Sequence, residues 1–330
     1  MVIVRAVHVG ATVLTAGAFA FRFFVLPRAH DAGSQVYGAL GGWLVRAAGW
    51  CLSILLATWL LWLALTAASM SGETLSQSLS VDLLHTVLAR TTFGHVWLLR
   101  FALAILLALH LLGVRRKKAA ASALGPSGAF TSALLLASLA WAGHAVGTGM
   151  PLRPVHLAAD ALHLLGAGLW LGALVPLFFM FDGARRQSGD AWLPFAAMAT
   201  RRFSTLGVIA MATLLASGAI NAWFLAGSVD ALVSTGYGRL VLTKLGLFFA
   251  IILIAALNRF RLTPRLQQQN GAVQEAALAS LWRNAMLEIV LGVAALGVAA
   301  LLGTTPPSSH QHGPAMGDMS APAISGDHQM

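Results

Sequence analysis

Long apolar runs alternate with short polar stretches along this chain. About eight of the runs come close to the roughly 20 residues that a helix needs to cross a bilayer: 2–26, 40–68, 93–113, 128–147, 155–181, 203–226, 238–257 and 284–302. No alternation of period two marks a strand, so the pattern predicts an all-α fold, a polytopic membrane helical bundle of about eight transmembrane helices. The first run carries a mimic of a signal-peptide cleavage site, Ala18-Phe19-Ala20, but continues to Leu26, and Arg5 is a sparse positive start. It is therefore read as a retained helix.

Composition agrees with that pattern. Hydrophobic residues make up 58% of the 330 and charged residues only 10%, with a mean hydropathy of +0.78. A soluble domain carries about 25% charged residues, so the bilayer itself is the first implied partner. The formal charge of +10 would suggest nucleic acid in a soluble protein. Here the basic residues instead set orientation, and no nucleic acid is implied.

Arg115, Arg116, Lys117 and Lys118 lie between runs three and four, Arg185, Arg186, Arg201 and Arg202 between five and six, and Arg259, Arg261, Arg265 and Arg283 between seven and eight. These connections alternate, and the positive-inside rule places them in the cytoplasm with both termini outside. Residues 1–302 then form one transmembrane domain. The segment 303–330, rich in Pro, Ser, Gly, His and Met, is expected to be a disordered periplasmic tail.

Charge placement makes the histidines informative. Of the 11 in the chain, all but His30 and His110 fall on the outer side. Cys51 is the single cysteine and sits in an apolar run, which excludes a disulfide framework and a thiolate cluster. Candidate metal ligands are therefore imidazole, carboxylate and thioether.

The string HLAADALHLL at 156–165 opens the fifth run. On a helix His156, Asp160 and His163 share one face, with His163 roughly 10 Å inside the first turn. His8, Arg100 and Lys244 reach a similar depth, while His85, His95 and His144 stand nearer the surface. A titratable group at such depth belongs inside the bundle.

One reading is a metal site or relay, with Met150 as a soft ligand suited to Cu(I). The other makes Asp160 the counter-ion of Arg100 or Lys244, with His163 hydrogen-bonded in the core. In the tail, His310 and His312 offer two imidazoles and Met316 and Met319 two thioethers, a set suited to capturing Cu(I) or Cu(II) outside the cell. On the inner side Met180, Met211, Met286 and Glu288 are scattered candidates without a stripe. No phosphate-binding loop, nucleophile elbow or HExxH motif is present, so the chain is not read as an enzyme.

Longer strings carry a resemblance. DALHLLGAGLWLGALVPL at 160–177, TTFGHVWLLR at 91–100, WAGHAVG at 141–147, and YGRLVLTKLGL and LNRFRLTPRL within 201–266 resemble the CopD/PcoD family of bacterial inner-membrane copper resistance proteins. The resemblance covers most of the chain and leaves the tail outside. It implies an eight-helix protein of the cytoplasmic membrane that handles a copper ion from the periplasm, beside a CopC-like periplasmic copper carrier. It carries over onto His144, His163, Arg100 and Lys244. A more distant similarity to b561-type cytochromes supplies the alternative, a haem b electron carrier with His8, His144 and His163 at an outer site. That alternative leaves only His30 and His110 for an inner haem.

Overall fold

The structure, a computed structural model, describes residues 1–26, 34–72, 74–116, 125–186, 192–226, 229–268 and 270–305. Its helices are α1 (Val2–Val25), α2 (Ser34–Ser71), α3 (Val81–Arg90), α4 (Thr92–Arg116), α5 (Pro126–Ala142), α6 (Arg153–Arg186), α7 (Trp192–Ala226), α8 (Val229–Ser234), α9 (Gly236–Leu266) and α10 (Gly271–Leu302). No strand occurs among the described residues. Seven of these helices are long and apolar enough to cross a membrane, and α5 is a shorter apolar helix.

The fourth predicted run, 128–147, is the one that the structure shortens. Pro126 opens it at a position where a missing N–H is harmless. Its last turn, Ser138–Ala142, tightens to a 3-10 helix and ends at Gly143, whose extended backbone (φ −92°, ψ −175°) breaks the helix. A separate 3-10 turn, His144–Gly147, follows. Other starts are capped by side chains: Thr235 accepts from the Gly238 N–H at 2.9 Å, Thr91 from the Gly94 N–H at 2.9 Å and Asn270 from the Val273 N–H at 3.4 Å.

At the centre stands α1, packed against α2, α5, α6 and α10. Phe19 and Phe21 of α1 are fully buried, as are Leu44 of α2, Leu107 of α4, Leu135 of α5 and Met180 of α6. Helix α1 approaches α6 closely, glycine to glycine. A Cβ placed on Gly172 would stand 2.8 Å from Gly17 Cα, with the Val13 carbonyl closer still. That contact lies where α6 runs through a π-helical turn, Gly168–Gly172, with Pro176 just beyond it. Pro176 has no N–H to give to the Gly172 carbonyl four residues earlier, which loosens the helix at the same point.

Gly172→Ala is therefore expected to destabilise the protein by about 1–3 kcal/mol. Gly10→Ala, on the central helix but with nothing within 4 Å of the new methyl, should be neutral or stabilising by up to about 1 kcal/mol. Thermal unfolding in detergent separates the two, and equal effects would show that the glycine contact does not set the α1–α6 distance.

Candidate functional site

The face predicted on α6 exists, and α7 answers each of its members. The His156 ring stacks on Phe224 with centroids 4.6 Å apart, Asp160 Oδ1 accepts from Asn221 Nδ2 at 3.4 Å, and the His163 Nδ1 position meets Ser217 Oγ at 3.1 Å. Positions 156, 160 and 163 ascend while 224, 221 and 217 descend, so two antiparallel helices are zipped by three polar or aromatic pairs.

The hydrogens of that zipper can be assigned. Ser217 Oγ donates its single proton to the Thr213 carbonyl at 2.6 Å, so it accepts from His163 Nδ1–H. The other ring nitrogen, Nε2, accepts from Lys244 Nζ of α9 at 3.3 Å, because an ammonium has no lone pair to offer. Both contacts require the same neutral tautomer, so His163 is fixed with its open lone pair toward Lys244. Room for the ring comes from Gly218, where a Cβ would stand 3.3 Å from His163 Cε1.

Asp160 takes no counter-ion in the strict sense. It forms no ion pair within 4 Å among the described residues, with Arg100, with Lys244 or with any other cation. Its charge acts at longer range on Lys244, Arg5 and Tyr237. Its second oxygen lies against Gly143, where a Cβ would stand 2.6 Å away. The glycine that ends α5 thus makes room for the carboxylate.

Arg5, read from the sequence as a sparse start signal, caps two helix ends instead. Its guanidinium donates to the Ala142 carbonyl at 3.0 Å and to the Gly303 carbonyl at 2.9 Å, the C-terminal ends of α5 and α10. A cation there is favoured by the partial negative charge of a helix C-terminus. It also lies 5.8 Å from the Trp62 ring. Arg100 is buried and donates to Ser138 Oγ at 3.2 Å and to the Ser138 carbonyl at 2.5 Å.

The remaining sequence candidates scatter. His8 is buried, donates from Nδ1 to Thr58 Oγ1 at 3.1 Å, whose own proton goes to the Ile54 carbonyl at 2.8 Å, and stands edge-on to Trp62 at 5.2 Å. His156 is buried, with Nδ1 2.6 Å from Thr148 Oγ1. His85 and His95 are exposed, midway along α3 and in the first turn of α4, and the His95 ring contacts the Ala89 carbonyl at 3.1 Å. Met150 is 70% exposed. The His144 side chain, His30, His310, His312, Met316 and Met319 lie outside the described residues.

Among the described residues no three of His, Cys, Asp and Glu come together as a metal cluster. What converges is His163, Lys244, Asp160, Asn221 and Ser217. The sequence reading missed Ser217, Asn221 and Phe224. The signal available for two of them was a pair of polar residues four apart in the otherwise apolar string ASGAINAWF.

Known proteins resemble this chain along most of its length. Residues 197–302 match the family described as copper resistance protein D, and residues 1–153 match the copper resistance protein D-like N-terminal domain. Copper resistance protein D of Pseudomonas syringae pv. tomato is 32% identical over 248 residues, 74% of this chain and 78% of that one. Copper transport protein CutJ of Bacillus subtilis (strain 168) is 32% identical over 224 residues, 66% of this chain and 38% of that longer one. Inner membrane protein YebZ of Escherichia coli (strain K12) is 30% identical over 218 residues, 66% of this chain and 70% of that one. No solved structure matches the chain.

Proposed function

The chain belongs to the copper resistance protein D family, and from that premise we propose that it is a multi-pass inner-membrane protein that carries copper from the periplasm to the cytoplasm. The names of its relatives, a copper resistance protein, a copper transport protein and an inner membrane protein, support the cargo and the membrane. The basic connections face the cytoplasm by the positive-inside rule, so both termini and the α6–α7 zipper's open end face the periplasm.

The observation that carries the reading is the pairing of His163 Nε2 with Lys244 Nζ at 3.3 Å. An imidazole lone pair aimed at a buried ammonium is already a cation-binding position, occupied by a cation tethered to the protein. A copper ion uses the same lone pair and displaces the lysine. Asp160, whose charge already acts on Lys244, receives it. The lysine thus lowers the affinity of the site without altering its shape, which suits a position that must release what it binds.

Around this position His156, His144 and Asp160 extend the ligand set, with His8, His85, His95 and Met150 toward the surface and Arg100 setting the local charge. His310, His312, Met316 and Met319 in the 303–330 tail collect copper ahead of the bundle, and a CopC-like carrier is the partner that delivers it. No reaction step is assigned to any of these groups.

Copper accumulation in cells and copper bound to purified protein test the proposal. His163→Ala should lower both by roughly tenfold or more, and truncation after Leu302 should lower accumulation at scarce copper while leaving it intact when copper is abundant. Accumulation unchanged in both variants would remove the assigned roles. Lys244→Met abolishes the competing cation and should bind copper several-fold more tightly than wild type. Weaker binding would instead make the lysine a structural support of His163.

A further inference from the structure

Elsewhere in the bundle lies an ionisable group that the outer position does not use. Glu288, midway along α10, is 2% exposed. Each of its oxygens accepts one hydrogen bond, Oε1 from Asn258 Nδ2 at 2.7 Å and Oε2 from Trp170 Nε1 at 3.3 Å. Asn258 Oδ1 accepts in turn from Asn284 Nδ2 at 2.7 Å. Among the described residues Glu288 has no Lys or Arg within 4 Å.

Glu288 also lines a cavity of about 440 Å³. That volume has room for water, and Ser204, Asn258 and Arg259 on its wall offer polar partners to it, so the carboxylate has a route for a proton at its side. The helices packed around it bring one other charged side chain to the cavity wall, Arg259, which donates to Ser204 Oγ at 2.8 Å and to the Ser204 carbonyl at 3.0 Å. Arg201, Arg202, Asp182 and Arg283 lie off the wall.

A carboxylate buried within the membrane without a close counter-ion is costly and is relieved by taking up a cation. The surroundings are wrong for a metal ion. Both carboxylate oxygens face N–H donors, Arg259 shares the wall, and Glu288 joins no cluster of His, Cys, Asp or Glu. A proton needs one carboxylate and a partner that tolerates both of its states, and Asn258 is such a partner. With its amide reversed it accepts from the carboxylic O–H and donates to Asn284, whose own amide reverses with it.

We propose that Glu288 is an intramembrane proton-binding carboxyl that loads and releases one proton as the cation passes, an inference that rests on the transport reading above. The two donors to Glu288 sit inside π-helical turns, Trp170 in Gly168–Gly172 and Asn258 in Asn258–Leu262, and such turns allow local shifts of a helix. The helices that bear them also bear the outer pair: α6 carries His163 and Trp170, and α9 carries Lys244 and Asn258. On α9 the two positions are about 21 Å apart along the axis. A movement of Lys244 away from His163 is therefore connected to the carboxyl along two helices. The proton goes to or comes from cavity water, and no electron is transferred.

The test uses full-length protein in lipid vesicles with a trapped pH dye, together with infrared spectra of the carboxyl stretch from mildly acidic to mildly alkaline pH. Wild type should show a titrating carboxyl band that Glu288→Gln lacks. Glu288→Gln should retain outer-face copper binding, which also reports that it is folded, while copper-driven proton movement falls at least tenfold. A wild-type band that does not titrate, or proton movement retained within twofold in Glu288→Gln, overturns the inference. If the band titrates as expected but wild type moves no copper, the transport reading fails while Glu288 stands as a proton site.

Discussion

The bundle is organised by the scarcity of water. In hydrocarbon a donor, acceptor or charge is costly unless it finds a partner within the protein, so several of the charged and polar residues within spans become links between helices. Arg100 ties α4 to α5 through Ser138, Arg5 ties α1 to the ends of α5 and α10, and Glu288 ties α10 to α6 and α9. The α6–α7 contact follows the same rule at three successive levels, through Phe224, Asn221 and Ser217. Apolar packing brings these helices together, and the few polar pairs fix which register they adopt.

Small residues let those links be short. Gly17 against Gly172 allows the central helix to touch α6 backbone to backbone, Gly143 admits the Asp160 carboxylate, and Gly218 admits the His163 ring. At each place a methyl group would push apart two groups whose interaction depends on distance. The glycines are thus part of the site, although none of them carries a functional group.

The sequence discloses what depends on a single helix and conceals what depends on a pair. The apolar run at 155–181 announces α6, and the spacing of His156, Asp160 and His163 announces a shared face, because both follow from the helical period. Which helix meets that face is not periodic information. Ser217 and Asn221 are ordinary small polar residues until α7 is laid antiparallel to α6. Span four misleads for a related reason: the run 128–147 carries no Asp, Glu, Lys or Arg, yet Gly143 ends the helix, and hydropathy does not weigh backbone freedom. Glu288 was visible as an isolated acid in an apolar run. Its partners Trp170 and Asn258 are distant in sequence, and nothing local connects them to it.

Cargo handling and storage make opposite demands on a binding position, and the transport proposal rests on the first. A store gathers several ligands around a vacant centre, so that the ion is held by many bonds. Here the described residues contain no such group of His, Cys, Asp and Glu, and the best-oriented lone pair, on His163, already faces a lysine. On the transport proposal, an ion arriving there would have to remove a competitor, and when it left the lysine would close behind it, so that the empty position would not become an unpaired polar group in the membrane. Low affinity and a satisfied empty state would then both follow from one residue, Lys244, whose donor matches the imidazole.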